Sequence, residues 1–502
     1  MAEWIETRKD DICNRRQRAP HRMIVRALRG SCANYRLKGL RTTLLFGAVF
    51  LTGAAIGPIS RLIADCFEPA FGVTAAFAQD SGRTNTYRLL ALFGDVLERV
   101  HLEYVDPVSD RDLIENAING MLAGLDPHSS YLNADEYREM QVETKGKFSG
   151  LGIEVTKDSD SIKVIDAMDD TPASRAGIRT GDIITALNGM SVRWLSLKDA
   201  VEQMRGAAKS MVTLTIKREG VTKPLVISLR REGIHLQAVK QRMAPDNIGY
   251  VRLSEFNEQA DAGLKLAVKS LRRRAGGKLK ALILDLRDNP GGLLGQAAAI
   301  SGDFIAHGEI VSTRGRHAED AEWLGAEGTD ILGGAPLVVL INGDSASASE
   351  IVAGALQDHH RAVLVGTRSF GKGSVQTEIP LPGNGAMLLT TARYYTPSGR
   401  SIQGLGILPD VPVSETRQDV PKFGGEREAD LNHVLQNKGG TPDTGAGPRT
   451  DLPPIATKIP SKPPESFPEF DPTKPDDTDF QLQQALLVAK AMAAVQNPGV
   501  AD

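Results

Sequence analysis

Apolar residues recur at helical spacing between residues 84 and 104, where Leu89, Leu90, Leu92, Phe93, Val96, Leu97 and Val100 line one side of a predicted helix. A second amphipathic run over 111–124 ends at Gly124. The period then changes. Residues 146–232 break into short β-rich runs, among them 152–155, 161–165 and 211–217. From 233 to about 415, strands alternate with helical runs, which predicts an α/β core. Residues 416–477 are polar and rich in proline, with ten prolines from Pro442 to Pro475, and read as a flexible linker. A last helix over about 478–495 carries apolar residues that need a partner, and no internal repeat is present. The pattern predicts a multi-domain α/β chain: a β-rich domain next to an α/β core, with helical N- and C-terminal arms. Its parts are 1–78, 79–145, 146–232, 233–415, 416–477 and 478–502.

Charge changes the picture at the N-terminus. The 502 residues are 41% hydrophobic and 24% charged, with a formal net charge of −3, a balance that suggests no nucleic-acid partner. Residues 1–41, however, hold 11 Lys/Arg against four acids, a net of +7, and the 424 residues after position 78 carry −9. Nothing is charged from 42 to 60. A basic flank before an apolar run reads as an export signal, with Ala76-Phe77-Ala78 as the cleavage candidate. The 19 uncharged residues are also just long enough to span a bilayer, so an uncleaved anchor is the rival reading, and Met23 is an alternative start. In either case the body is expected outside the cytoplasm, periplasmic or anchored to the inner membrane, touching the membrane only through this segment. All three cysteines, Cys13, Cys32 and Cys66, lie in the leader, so the body holds no thiol nucleophile. H-E-x-x-H and C-x-x-C are absent, and no metal or cofactor is indicated.

In the β-rich region Gly150-Leu151-Gly152-Ile153 precedes a strand, and residues 171–189 read TPASRAGIRTGDIITALNG, with Gly177 and Gly181 suited to tight turns. Together these resemble a PDZ domain. The resemblance implies that backbone N–H groups at Gly150, Leu151, Gly152 and Ile153 receive a peptide's terminal carboxylate while the peptide adds as a strand.

The candidate chemistry sits at two strand-to-helix turns, Asn289-Pro290-Gly291-Gly292 and the GDSAS turn before the helix SEIVAGALQD. In an open α/β sheet, ligands collect at such carboxyl ends of strands. Two facing turns with bare glycines and a helix N-terminus meet the needs of an oxyanion hole. Ser347 opens the second helix, where it also forms an S-x-x-E capping box with Glu350 that needs no catalysis. Lys372 stands between two glycines in a strand-like run, SFGKGSVQ. Buried and neutral, its amine could take the Ser347 hydroxyl proton without a histidine.

LDPHSSYL (125–132), LILDLRDNPGG, NGDSASASEIVAGALQD, SFGKGSVQ and YYTPSGRSIQGLGILPD (394–410) occur, with the PDZ-like region, in the order found in carboxyl-terminal processing proteases, which the chain resembles over roughly 85–415 and the last helix. The resemblance implies Ser347 as nucleophile and Lys372 as base, with Gln376 orienting the lysine or, as in some members, Asp358 as third member. It places the oxyanion hole at the N–H groups of Ala348 and Gly292. Its implied partners are C-terminal tails of exported or membrane proteins. Leu405 departs from the polar residue relatives often carry, in a loop expected well away from the dyad. The terminal helices are candidates for homo-oligomerisation. A P-loop over 366–373 fails for want of Ser or Thr at 373, and a Ser-His-Asp arrangement with His359 or His360 lacks a G-x-S-x-G elbow. An inactive PDZ adaptor is the remaining alternative.

Overall fold

The computed structural model describes residues 81–168, 170–417, 427–437, 449–471 and 475–496. The leader, with its apolar run and cysteines, lies outside the described residues. Among the described residues no helix is long and apolar enough to cross a membrane. Helix α1 (Ser81–Glu103) belongs to a separate unit ending at Pro107, and Leu89, Leu90, Leu92, Phe93 and Val96 are exposed along it.

The second unit starts with α2 (Asp110–Ala123), β1 (Ser130–Leu132) and α3 (Ala134–Lys145). The β-rich region comes next, as β2 (Lys147–Gly150), β3 (Ile153–Asp158), β4 (Ser161–Ala167), the single turn α4 (Pro172–Arg175), β5 (Ile183–Leu187), β6 (Met190–Ser191), α5 (Leu197–Met204), β7 (Met211–Lys217), β8 (Leu225–Arg230) and β9 (Glu232–His235). β3, β4, β5, β7 and β8 pair in that order, with β3 at an edge and β6 on β5. β2 pairs with β9 where the chain enters and leaves. Alternating residues Ile162, Val164, Ile184, Leu187, Val212, Leu214 and Ile216 form its core with Ala200 and Met204 of α5.

The remaining elements are β10 (Val239–Ala244), β11 (Ile248–Leu253), α6 (Ala260–Arg274), β12 (Ala281–Asp285), α7 (Leu294–Gly302), β13 (Gly308–Arg314), β14 (Glu322–Ala326), β15 (Leu337–Ile341), α8 (Ala348–Asp358), β16 (Ala362–Gly366), β17 (Ser374–Pro380), β18 (Ala386–Tyr395), β19 (Val411–Pro412), the short α9 (Pro475–Thr478) and α10 (Phe480–Gln496). One sheet runs β10-β11-β12-β15-β16-β19, parallel except for the β10–β11 pair. β12, β15 and β16 are buried along their whole length, as central parallel strands covered on both faces must be. A second sheet runs β1-β18-β13-β14, with β17 also on β18.

On one face of the parallel sheet Leu282, Leu284, Val339 and Leu364 pack against α6, α7 and α8. On the other, Ile283, Val338, Leu340 and Val365 are covered by Leu482, Ala485, Leu486, Val488 and Ala489 of α10. The last helix therefore finds its partner within the chain, which removes the ground for expecting it to drive self-association. Each large side chain it buries is worth roughly 1.5–3 kcal/mol of transfer free energy. Part of the segment whose composition reads as a linker lies on the same face: Ala456 is buried there, and Leu452, Ile459 and Phe467 pack beside it. Few apolar residues suffice when a sheet face is already waiting for them.

Candidate active site

β12 and β15 are parallel neighbours, with Asp285 beside Leu340, so the turns at their carboxyl ends lie together. Three hydrogen bonds lock them: Ser345 Oγ to Leu286 O at 2.8 Å, Ala346 N–H to Asn289 O at 3.0 Å, and Ser349 Oγ to Asn289 O at 2.9 Å. Ser345 and Ser349 are fully buried and engaged in these bonds, whereas Ser347 between them is only partly buried. A Cβ at Gly291 would stand 2.8 Å from Ser347 Cβ and 2.9 Å from Ala348 N, so only glycine lets the first turn press against the second. The Gly291 N–H is taken by Asn289 Oδ1 at 2.9 Å. Among the described residues the N–H groups of Gly292 and Ala348 have no acceptor.

Ser347 adopts φ 54°, ψ −112°, a conformation disfavoured for any residue with a Cβ. Its N–H donates to Oε2 of Glu350 at 2.9 Å. The same oxygen accepts the Lys372 N–H at 2.9 Å, and Oε1 accepts the Gly371 N–H at 2.8 Å and the Ser369 hydroxyl at 2.5 Å. Glu350 is wholly buried, and burial pushes its carboxyl up to about 7 against the pull of these donors. By spacing alone Glu350 reads as half of a cap; in the fold it ties the serine turn to the lysine loop.

Lys372 is half-buried, and burial lowers its pKa from the ordinary lysine range against the charges of Glu428, Glu350 and Asp126. Asp126 belongs to the LDPHSSYL motif. Burial would raise its carboxyl, but bonds from the Ser129 hydroxyl, the His128 and Ser129 N–H groups and Thr390 Oγ1 hold it below the usual value. Tyr394 is buried beside Ser347, its phenol raised by burial and by the Glu350 charge.

The other expected residues fall differently. Gln376 donates to Ser374 Oγ and Thr390 Oγ1, both at 3.1 Å, and no hydrogen bond joins it to Lys372. Lys372 lies in the loop before β17, which begins only at Ser374, so the strand alternation that would put 372 and 376 on one face does not reach it. Asp358 lies at the far end of α8, roughly 16 Å from Ser347 at the helical rise, where it pairs with Arg400 and accepts the Ser398 N–H. His359, also there, hydrogen-bonds Glu309 O. Leu405 is nearer the lysine than expected: Gly404 N–H donates to Gly371 O at 2.8 Å, and Gln403 Oε1 accepts the Gly373 N–H at 3.0 Å. Directly after Gly373 the chain enters strand β17, not the helix a P-loop needs.

In the β-rich domain Gly150 closes β2 and Ile153 opens the edge strand β3. Between them Leu151 is buried, and the N–H groups of Leu151 and Gly152 have no acceptor among the described residues. Ile153 and Val155 on β3, with Leu197 and Val201 on α5, are partly buried apolar residues packed on the domain core. A strand edge, free N–H groups and apolar side chains thus meet at one place.

The profile of Peptidase family S41 matches residues 247–413 and that of the PDZ domain residues 139–217. A carboxy-terminal-processing protease of Bartonella bacilliformis is 53% identical over 344 residues, which span 68% of this chain and 79% of that protein. A carboxyl-terminal-processing protease of Picosynechococcus is 36% identical over 337 residues, 66% of this chain and 80% of that protein. A solved structure of a photosystem II D1 C-terminal processing protease shares 31% identity, covering 63% of this chain and 86% of that one, with a TM-score of 0.38. The chain belongs to the carboxyl-terminal-processing proteases, serine-type peptidases of family S41 that carry a PDZ domain.

Proposed function

We propose that this peptidase cleaves protein substrates near their C-termini, with Ser347 as nucleophile and Lys372 as general base. The observation that carries this reading is the pair of 2.9 Å bonds from Ser347 N–H and Lys372 N–H to one Glu350 oxygen, beside a lysine whose burial favours the neutral amine. Lys372 Nζ takes the Ser347 hydroxyl proton as Oγ bonds to the scissile carbonyl carbon. The Gly292 and Ala348 N–H groups receive the oxyanion. The C–N bond then breaks, the leaving amine takes the proton from Lys372, and water releases the acyl group by the same route. Gln376, bonded to Ser374 and Thr390, and Asp358, paired with Arg400, are assigned no part in the chemistry.

The PDZ domain captures the substrate tail, with the terminal carboxylate at the Leu151 and Gly152 N–H groups and the peptide added along β3. The N-terminal segment delivers the body outside the cytoplasm, and the exposed apolar side of α1 is the candidate surface for self-association. The decisive experiment compares the wild type with Ser347→Ala on an unstructured protein with an apolar C-terminus. Cleavage should be lost and tail binding kept. Unchanged cleavage by Ser347→Ala would refute the serine assignment. If the wild type itself binds tails but cuts nothing, the adaptor alternative is correct.

A further inference from the structure

Glu428 lies outside both matched regions, in the polar stretch whose composition reads as linker, yet it is completely buried. It opens a short turn, Glu428–Asp430, held by Glu428 N–H to Phe370 O at 3.3 Å and by Arg427 Nη2 to Leu405 O at 3.0 Å. Both carboxylate oxygens are engaged. Oε1 accepts from Gln403 Nε2 at 2.7 Å, and Oε2 lies 2.7 Å from His128 Nε2. The other end of the Gln403 amide accepts the Gly373 N–H at 3.0 Å. One amide therefore separates Glu428 from the residue after Lys372, and one imidazole links it to the LDPHSSYL motif. A buried carboxylate is costly and persists only where its partners are in place.

We infer that Glu428 is a positioning residue for the base: it anchors the Lys372 loop through Gln403 and supplies a carboxylate that Lys372 faces, making the 427–431 turn part of the active site. Lys372 is faced by Glu350 from α8, by Glu428 from this turn and by Asp126 from the α2–β1 loop. Tyr394 on β18 feels the Glu350 and Glu428 charges. His128 meets Glu428 directly, and Arg427 stands beside Arg368 and Asp430. Of the three carboxylates, Glu428 most strongly favours the charged lysine, opposing the burial that disfavours it. The charge thus keeps the amine from titrating too low, while the hydrogen bonds hold its loop.

The inference rests on the Ser347/Lys372 reading, and the test separates the two. The pH profile of kcat/KM is measured on the full chain for wild type, Lys372→Ala, Glu428→Gln and Glu428→Asp. Glu428→Gln should fold, remain active and move the midpoint of the alkaline rise down by about one pH unit. Glu428→Asp, which keeps the charge, should restore the wild-type midpoint. An unmoved midpoint in Glu428→Gln overturns the inference whatever its rate, while an active Lys372→Ala overturns the base assignment beneath it. Should Glu428→Gln not fold, Glu428→Met carries the same expectation. If neither neutral variant folds while Glu428→Asp does, Glu428 serves the fold alone and the inference fails.

Discussion

Ser347 and Lys372 share one acceptor atom: the backbone N–H groups of both reach Oε2 of Glu350, each at 2.9 Å. One buried carboxylate thereby sets the distance between the serine turn and the lysine loop through their backbones, with no hydrogen bond to either side chain. Replacing it with Gln puts an amide donor against either the Ser347 and Lys372 N–H groups or the Gly371 N–H and Ser369 hydroxyl. A buried donor left without an acceptor costs about 1–3 kcal/mol. Glu350→Gln should therefore lose on the order of 10²-fold in kcat with KM little changed, and melt at lower temperature. Steady-state kinetics beside thermal unfolding will decide; wild-type kcat would remove Glu350 from any positioning role.

The backbone at Ser347 stores strain. With φ at 54° and ψ at −112°, the serine is strained by its own Cβ. Ser347→Ala and Ser347→Gly should both be inactive, but only glycine relieves the strain. The glycine variant should be the more stable by about 1 kcal/mol, a rise in Tm of roughly 2–4 °C over the alanine variant. Equal melting temperatures would show that the turn is not strained.

On the proposed mechanism, two groups should make the activity depend on pH in the same direction. Burial lowers Lys372, so the fraction of neutral base grows as pH rises through a value below the lysine norm. Burial raises Glu350 to about 7, and protonation there withdraws an acceptor from the main-chain donors around it. Activity should rise from pH 6 to pH 9 and not fall on the acid side of neutrality only through unfolding. Stability runs the other way for Glu350. Its folded value lies above the ordinary 4.5, so its favourable contribution is present at low pH and is lost as pH climbs through about 7. Rate and unfolding free energy measured across this window should diverge, and a flat rate profile would count against a neutral lysine base.

Much of this site is legible as residue types at spacings. The buried pentads ALILD, LVVLI and AVLVG announce parallel strands, and the glycines and serine after them mark the turns where such sheets bind. Ser347 is separable from Ser345 and Ser349 only by analogy until burial and partners set it apart. Glu428 leaves no trace in the sequence, because its neighbours are polar and its burial is created by Gln403 and His128 arriving from 25 and 300 residues away. Gln376 departs from expectation for a local reason: period-two reasoning assumes that the strand already includes Lys372, whereas β17 begins only at Ser374. The tail misleads through composition. Pro-rich chain is a poor builder of its own core, but 449–471 borrows one from the sheet.

Tail capture should fail on a single methyl group. Gly152 has φ +75°, and a Cβ there would stand 2.3 Å from Thr171 Cβ. Gly152→Ala must move the loop whose N–H groups are proposed to take the carboxylate. Binding of a fluorescent peptide with a free apolar C-terminus should weaken by at least about tenfold, while a C-terminally amidated peptide, already deprived of the charge, should bind equally poorly to both proteins. Undiminished binding of the free acid to the variant would place the tail elsewhere.

Arg287 joins the carboxyl end of β12 to the last helix. It is buried, bonds both oxygens of Asp285 at 2.9 and 2.6 Å, and reaches Asp479 just before α10 at 3.0 and 2.7 Å and Gln481 Oε1 at 3.1 Å. Two residues further on stands Asn289, which holds the glycine turn. Breaking a buried pair by removing one partner costs about 3–5 kcal/mol when the other stays buried; Asp479 is slightly open to solvent, which places Asp479→Ala near the lower figure. Deleting 475–502 adds the exposure of Ile283, Val338, Leu340 and Val365, the face that α10 covers. The point variant should fold with a lower denaturation midpoint and reduced kcat, because the strain passes along the strand end to the glycine turn proposed to receive the oxyanion. The deletion should expose apolar surface, detected by dye binding and light scattering as aggregation. A deletion variant that stays monomeric, folded and active would mean that the sheet does not need its second cover.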